Sequence, residues 1–367
     1  MKDNVDHILK NFDKNAFQVA LISWFKAEMR DLPWRKDKDP YKVWVSEVML
    51  QQTRVDTVIP YFNRFIEKYP DVESLAKADE QELLKMWEGL GYYSRVKNLH
   101  SAVKEVQERY GGVIPDDEKK FRELKGVGPY TAGAVLSIAY NKPVPAVDGN
   151  VMRVISRIFN LTDDISKTAT RRKIEKVVSE IISVKDPSSF NQGMMELGAL
   201  VCTPRNPSCL LCPVREYCRA FHAGTERDLP VKTKQKKGKK IDYIAVVLKD
   251  QTGKILIRKR PDEGLLASLW EFPMIEAEKL SKNVLPALEK QFFNKYGAEI
   301  RIDKPLCMVE HVFSHLSWRI QAYQGTYTGE IEENSRLKAV PTEKVETYPF
   351  PVPFQKIWQA YKEEGSN

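Results

Sequence analysis

LKGVGPYTAGAVLSIAY, residues 124–140, joins a tight turn to the start of an apolar helix. Gly126 and Gly128 permit a sharp turn and a close backbone approach. Pro129 suits a first helical position, where its missing N–H has no partner to lose. The free N–H groups at that helix start can bind a phosphate. A lone GxG pair is weak evidence by itself, because ordinary helix–helix turns use it too. Outward from this segment, residues 16–220 read as helical. The stretches 17–29, 42–68, 94–109, 128–139, 148–159, 170–183 and 190–201 carry apolar residues at spacings of three and four. Pro40, Pro70, Gly89, Gly91, Pro115, Pro143 and Pro145 punctuate them.

The period changes after VKTKQKKGKK (231–240), which has six lysines and no acid. That run reads as a solvated linker, a DNA-backbone contact, or both. IDYIAVVLKD, a turn at 251–253 and KILIRKR then read as a hairpin. Residues 281–296 read as a helix, HVFSHLSWRIQAYQG as a second hairpin, and FQKIWQAYKEE as a closing helix. The expectation is a mainly α N-terminal domain (1–222), a basic linker (223–240) and a smaller α+β domain (241–367). The net charge of +8 over 367 residues is compatible with a polyanionic partner without requiring one. MKDNVDHILK has no apolar core of a signal peptide, and no run approaches ~18 apolar residues. The expected location is the cytoplasm, or the nucleoid if DNA is the partner, with no membrane association.

Four of the five cysteines form the series Cys202-x6-Cys209-x2-Cys212-x5-Cys218, and Cys307 stands apart. A tight group in a cytosolic chain more often holds a metal than disulfides. Four thiolates so close in sequence can close round an iron–sulfur cluster or a zinc ion. The paired x2 spacings of a zinc ribbon are missing, which disfavours zinc. The x6-x2-x5 spacing resembles the [4Fe–4S] loop of the endonuclease III and adenine glycosylase superfamily. Arg205 lies between the first two cysteines. On a clamped loop it suits phosphate contact, against the plain alternative of a solvated arginine.

The run from Pro129 to Ala134 likewise resembles the helix–hairpin–helix of base-excision glycosylases. Bifunctional members place a lysine where this chain has Tyr130. That lysine forms a Schiff base at the sugar, which a tyrosine cannot do. The resemblance therefore implies hydrolysis without an efficient lyase step.

Two acids stand in segments of interest. WVSEVMLQQT (44–53) puts Glu47 in an apolar helix, on a face with Val43, Trp44, Leu50 and Gln51. A carboxylate there must be solvated, paired or protonated, and an ordinary exposed or paired glutamate is the plain alternative. Gln51-Gln52-Thr53 is a polar patch suited to a DNA base. VDGNVMRV (147–154) puts Asp148 just before a helix, where a simple N-cap is the plain alternative. Breaking an N-glycosidic bond calls for one acid to protonate the leaving base and one anion beside the cationic sugar. An apolar pocket keeps the first protonated while a more polar setting keeps the second ionised.

Both segments resemble the adenine DNA glycosylase (MutY) family. The resemblance implies that Glu47 protonates adenine N7 and that Asp148 stabilises the sugar cation, directly or through a transient covalent bond. Tyr130 and Asn150 would position them. Arg35 of LPWR, Gln52, Thr53, and Leu90 and Tyr92 of EGLGYYSR would surround the flipped adenine or fill the gap it leaves. Gly126 and Gly128 would carry the hairpin onto DNA. For Leu90 and Tyr92, packing at a helix junction is the alternative. Flipping is needed because the target atoms lie inside the stack, and it is cheapest at a mispair.

GLLASLWEFP (264–273) resembles the start of a Nudix-type domain. Counting back from Gly297, Lys290, Gln291, Asn294 and Lys295 stand where the metal-binding box has Arg, Glu, Glu and Glu. Nucleotide hydrolysis is not expected without those carboxylates. A Phe-Ser-His loop in this domain of the adenine glycosylases reads 8-oxoguanine, and here it is Phe313-Ser314-His315. A hairpin tip with one buried aromatic is the alternative. Taken together, the resemblance implies a monomeric, monofunctional glycosylase with a [4Fe–4S] cluster. Its partner would be duplex DNA with adenine opposite 8-oxoguanine or guanine. Tyr130 argues against a lyase, and the intact Glu47 and Asp148 argue against a silent damage-binding protein.

Overall fold

The structure, a computed structural model, describes residues 2–233, 238–277, 285–296, 299–328 and 336–365. It divides into two compact units, 1–77 with 98–234 and 78–97 with 235–367.

The first unit is helical. Aspartates start its helices repeatedly: Asp13 caps Lys14–Glu28, Asp39 caps Pro40–Leu50 and Asp186 caps Pro187–Leu200, the last two followed by proline at the first helical position. The helix Pro129–Tyr140 is apolar all round and is buried from Thr131 to Ile138, as a central helix must be. It stops at Asn141, which is left-handed at φ 53°. Gly133 in that helix lies against the chain that leads to the site, and a Cβ there would sit 2.0 Å from the Pro145 carbonyl oxygen. Asn191, fully buried, pins the same stretch. Its Nδ2 donates to the Val144 carbonyl (2.8 Å) and Ser137 Oγ (2.9 Å), and its Oδ1 accepts from the Ala146 N–H (3.2 Å). Phe17, Leu21, Val151, Ile155, Phe190 and Met194 are wholly buried in the core behind. Each such side chain contributes about 1.5–3 kcal/mol.

The second unit is built on a mixed sheet. Its strands are β1 (Lys239–Lys249), β2 (Lys254–Lys259), β3 (Trp270–Glu271), β4 (Met274–Glu276), β5 (Glu299–Val312), β6 (Leu316–Thr328) and β7 (Leu337–Pro341). The order is β3-β2-β1-β6-β5, with β4 on β1 and β7 on β2. Among the described residues, only β1 and β6 pair in parallel. In β1, Ala245 and Val247 face one core and Ile244, Val246 and Leu248 the other, so the strand is an unbroken apolar run covered on both faces. The helix Val352–Gly365 buries Phe354, Ile357 and Trp358 beside Phe272 and Trp318. Both hairpins expected from the sequence form, as does the helix Leu285–Tyr296; residues 281–284 lie outside the described residues.

The division of the chain differs from the expectation of 1–222, 223–240 and 241–367 in two places. Residues 78–97 belong with the C-terminal unit. Trp270 Nε1 donates to Gln81 Oε1 (2.7 Å), Phe350 N–H to Glu88 Oε1 (2.9 Å) and Lys97 Nζ to Ser268 Oγ (2.8 Å). The first part of the expected linker is also fixed on the helical unit. Ile165 N–H donates to the Val231 carbonyl (3.0 Å), Arg157 Nε to the Leu229 carbonyl (3.0 Å), and Thr233 Oγ1 pairs with Asp164. The remaining lysine run lies largely outside the described residues.

Candidate active site

A cavity of about 160 Å³ opens in the helical unit. A cavity of roughly 150 Å³ is enough for a benzene-sized ring. Trp34, Leu50, Ile138 and Met195 form its apolar wall, and Arg35, Glu47, Thr53, Tyr130, Asp148 and Asn150 its polar one. Six of the expected site residues thus meet in one place.

Glu47 points inward from Pro40–Leu50 and is 5% exposed. Tyr130 Oη donates to Glu47 Oε2 at 2.5 Å and also meets Met195 Sδ at 3.4 Å. Burial lifts the Glu47 carboxyl to about 7; the Tyr130 hydrogen bond and the Arg35 charge oppose the rise, and the Asp148 charge adds to it. Burial and the neighbouring carboxylates raise Tyr130 well above the usual phenol range, so it remains a donor.

Asp148 is at once a helix cap and a wall residue of the cavity. It is the N-cap of Gly149–Ile158, with Oδ1 accepting from the Val151 N–H at 2.7 Å, and it lines the cavity. Its Oδ2 accepts from Asn150 Nδ2 at 3.0 Å. Burial raises its pKa, while these N–H donors work in the other direction by favouring the anion. Arg153 holds Asn150 in that orientation through its Oδ1 (2.9 Å) and continues to the carbonyls of Gly198 and Cys202, both at 2.8 Å. Gly198 is needed for this approach, since a Cβ there would lie 2.6 Å from Asn150 Cβ.

Arg35 is held in a buried ion network. Its Nη2 donates to Glu196 Oε2 (3.0 Å), Nε to Gln192 Oε1 (3.1 Å) and Nη1 to the Arg30 carbonyl (3.0 Å). Arg30 binds the same carboxylate at 2.8 and 2.9 Å. Burial alone would raise Glu196, but the two guanidiniums hold it at about 2. The sequence reading passes over Arg30, Gln192, Met195 and Glu196. Glu196 carries the signal that singles out Glu47: an acid in an apolar helix.

The other expected residues are spread more widely. Thr53 lines the cavity, whereas Gln52 is exposed and left-handed at φ 59°, a conformation uncommon for a residue with a Cβ. Gly126 is left-handed at φ 82°, and a Cβ there would meet that of Asn98 at 2.7 Å. Gly128 is not left-handed. It caps Pro129–Tyr140 with no side chain, and no atom lies within 4 Å of where its Cβ would be, which leaves the helix start open. In the second unit Leu90 is buried at 6% and Tyr92 is 46% exposed with φ 47°. Leu90 is packed away here, and Tyr92 is presented to solvent. Ser314 and His315 are exposed at the β5–β6 turn, and Phe313 packs on the core. Tyr92 Oη and Ser314 Oγ are 3.2 Å apart.

Cys202, Cys209, Cys212 and Cys218 are all half-buried and none is in a disulfide. Burial raises Cys212 to about 12; a backbone hydrogen bond at Val214 opposes the rise, and the charges of Cys202, Cys218 and Cys209 add to it. Four thiolates here therefore call for a cationic centre between them. Among the described residues no three His, Cys, Asp or Glu side chains converge as a single ion would need. A cluster of several irons and sulfides is larger and takes its thiolates further apart. Arg157 Nη1 donates to Cys202 Sγ at 3.3 Å and to the Thr203 carbonyl at 2.8 Å, a hydrogen bond of the kind that tunes a cluster ligand. Arg205 is exposed on this loop.

A helical unit with a glycine hairpin, an acid-lined cavity and an iron–sulfur loop defines a base-excision DNA glycosylase. Residues 45–180 match the HhH-GPD superfamily of base excision DNA repair proteins, 202–218 the iron-sulfur binding domain of endonuclease III and 243–360 the NUDIX domain. The adenine DNA glycosylase of Mus musculus is 36% identical over 85% of this chain and 70% of its own length. That of Buchnera aphidicola subsp. Schizaphis graminum is 34% identical over 83% of this chain and 86% of its own. A solved thermostable thymine-DNA glycosylase is 27% identical with a TM-score of 0.52, over 57% of this chain and 97% of its own. The chain belongs to the adenine DNA glycosylase family, is an enzyme of base excision repair and binds a [4Fe–4S] cluster.

Proposed function

We propose that the chain removes adenine from duplex DNA where it stands opposite 8-oxoguanine, or more weakly guanine, by hydrolysis without a lyase step. The observation that carries this is Glu47: a buried carboxyl raised to about 7 beside a second acid in one cavity. The Glu47 O–H gives its proton to adenine N7. The C1′–N9 bond breaks with its electron pair on the departing neutral base. Asp148, held by Val151 N–H and Asn150, stands as the anion for the sugar cation. Water then adds at C1′, and its proton returns to a carboxylate. Tyr130 keeps Glu47 in place and supplies no amine.

The hairpin at Gly126–Gly128 and the exposed Gln52 and Tyr92 suit contact with the opened duplex, and Phe313-Ser314-His315 suits the oxidised base. Cys202, Cys209, Cys212 and Cys218 would hold the cluster, and a loop tied at those four points would keep Arg205 in a fixed place. We assign 78–97 with 235–367 to lesion recognition and the helical unit to excision, in one monomer acting at the nucleoid.

The test uses a duplex with one adenine opposite 8-oxoguanine, labelled on the adenine strand. Cleavage only after hot alkali, absent opposite thymine, supports the proposal. Strong nicking without alkali overturns the monofunctional mechanism, and tight binding without cleavage overturns excision.

A further inference from the structure

Phe313, Ser314 and His315 form the turn between β5 and β6, closed by Phe313 N–H donating to the Leu316 carbonyl at 2.8 Å. The turn is gripped from two sides. Inside, the Phe313 ring meets Trp318 edge-on at 4.9 Å between centroids and His311 at 4.5 Å. Trp318 is 2% exposed, and the Arg260 guanidinium lies 5.3 Å from its ring centre. Arg260 is itself fixed, with Nη1 on Glu271 Oε2 and Nε on the Leu265 carbonyl at 3.1 Å. Glu271 is fully buried and shared with Arg258. A planar cation clamped by a buried carboxylate and set over an indole is a rigid base for the turn.

On the other side, β1 runs parallel to β6 with Lys239 opposite Leu316, and Gly238 immediately precedes it. A Cβ at Gly238 would lie 2.4 Å from the His315 carbonyl oxygen and 2.7 Å from the Leu316 nitrogen. Both are backbone atoms, so any side chain there must push the turn itself.

We propose that Gly238 and Arg260 are positioning residues for base recognition: they fix Ser314 where it reads the oxidised base, so the preference for 8-oxoguanine over guanine depends on them although neither touches the base. The proposal rests on the reading of Phe313-Ser314-His315 as the 8-oxoguanine contact. The two bases differ at this edge by one oxygen and one N–H, and a hydrogen bond that tells them apart weakens steeply with small errors of distance and angle.

The experiment uses the full chain with its cluster. Single-turnover adenine release opposite 8-oxoguanine and opposite guanine is measured for Gly238→Ala, Arg260→Lys, Ser314→Ala and the pair Gly238→Ala/Ser314→Ala. Melting midpoints are recorded alongside. Arg260→Lys keeps the charge and removes the planar, two-sided grip on Glu271 and the Leu265 carbonyl. The expected result is a fall in the 8-oxoguanine preference on the order of tenfold for Gly238→Ala and Arg260→Lys. Release opposite guanine should be unchanged, and Gly238→Ala should add nothing once Ser314 is alanine. A preference lowered by Ser314→Ala but untouched by the other two overturns the positioning proposal and leaves the loop reading standing. A preference untouched by Ser314→Ala overturns the loop reading, and the proposal with it. Equal losses opposite both bases with a lowered midpoint reduce the two residues to structural parts and overturn the proposal.

Discussion

Glu47 and Tyr130 stand 83 positions apart in sequence and 2.5 Å apart in space. With the carboxyl raised to about 7, release that depends on its proton should decline as pH rises through about 7. Glu47→Gln has no proton to give, and adenine release should fall by about 10²–10⁴-fold while duplex binding persists. Single-turnover release and a gel-shift titration check both halves. The same shift fixes the sign for stability. The folded state binds the extra proton between the ordinary carboxyl value of 4.5 and about 7, so stability falls as pH rises across that window. Glu47→Gln removes the buried anion and should gain up to roughly 3 kcal/mol on the parent at pH 8, with little gain at pH 4. Denaturant unfolding at the two pH values reads this, and an equal effect at both would refute it. Tyr130→Phe removes the hydrogen bond that lowers Glu47, so the pH at which activity falls should move upward.

At the scale of elements, the helix Gly149–Ile158 ties the site to the cysteine loop. Asp148 caps it, Arg153 reaches from Asn150 to the Cys202 carbonyl, and Arg157 reaches the Cys202 sulfur and the Thr203 carbonyl. Removing the cluster should loosen 202–218, lower DNA affinity and lower the melting midpoint together. Amide exchange should then rise in that loop before it rises in Pro129–Tyr140. Asn191→Ala strips partners from the Val144 carbonyl and the Ala146 N–H, so it should cost about 1–3 kcal/mol for the unsatisfied groups. It should also lower release opposite both 8-oxoguanine and guanine, because the stretch it pins leads directly to Asp148. These elements were legible in the sequence where their signal is contiguous: GVGPY, the cysteine spacing and the two hairpins. Asn191 left no such mark, because a polar residue in a helix is buried or exposed according to what packs on it.

For the whole molecule, the assignment of 78–97 matters most. Leu83, Leu84 and Trp87 are fully buried in a segment bonded to Trp270, Phe350 and Ser268. A fragment ending at residue 233 leaves Gln81, Glu88 and Lys97 of that segment without these hydrogen-bond partners. Limited proteolysis should cut it between 78 and 97, where the full chain resists. By itself the sequence determined the helical and α+β halves, the spacing of the four clustered cysteines, the lack of a lysine at position 130 and the placing of one acid, Glu47, in an apolar helix and another, Asp148, at a helix start, because each is written in neighbouring residues or in a chemical type. Only the tertiary structure decided that Glu47 is buried against Tyr130, that Arg30, Arg35 and Glu196 close the cavity wall, that Leu90 is packed while Tyr92 is exposed, and that 78–97 joins the sheet domain. Each of these depends on desolvation and on partners brought from distant parts of the chain, and no local pattern encodes that distance.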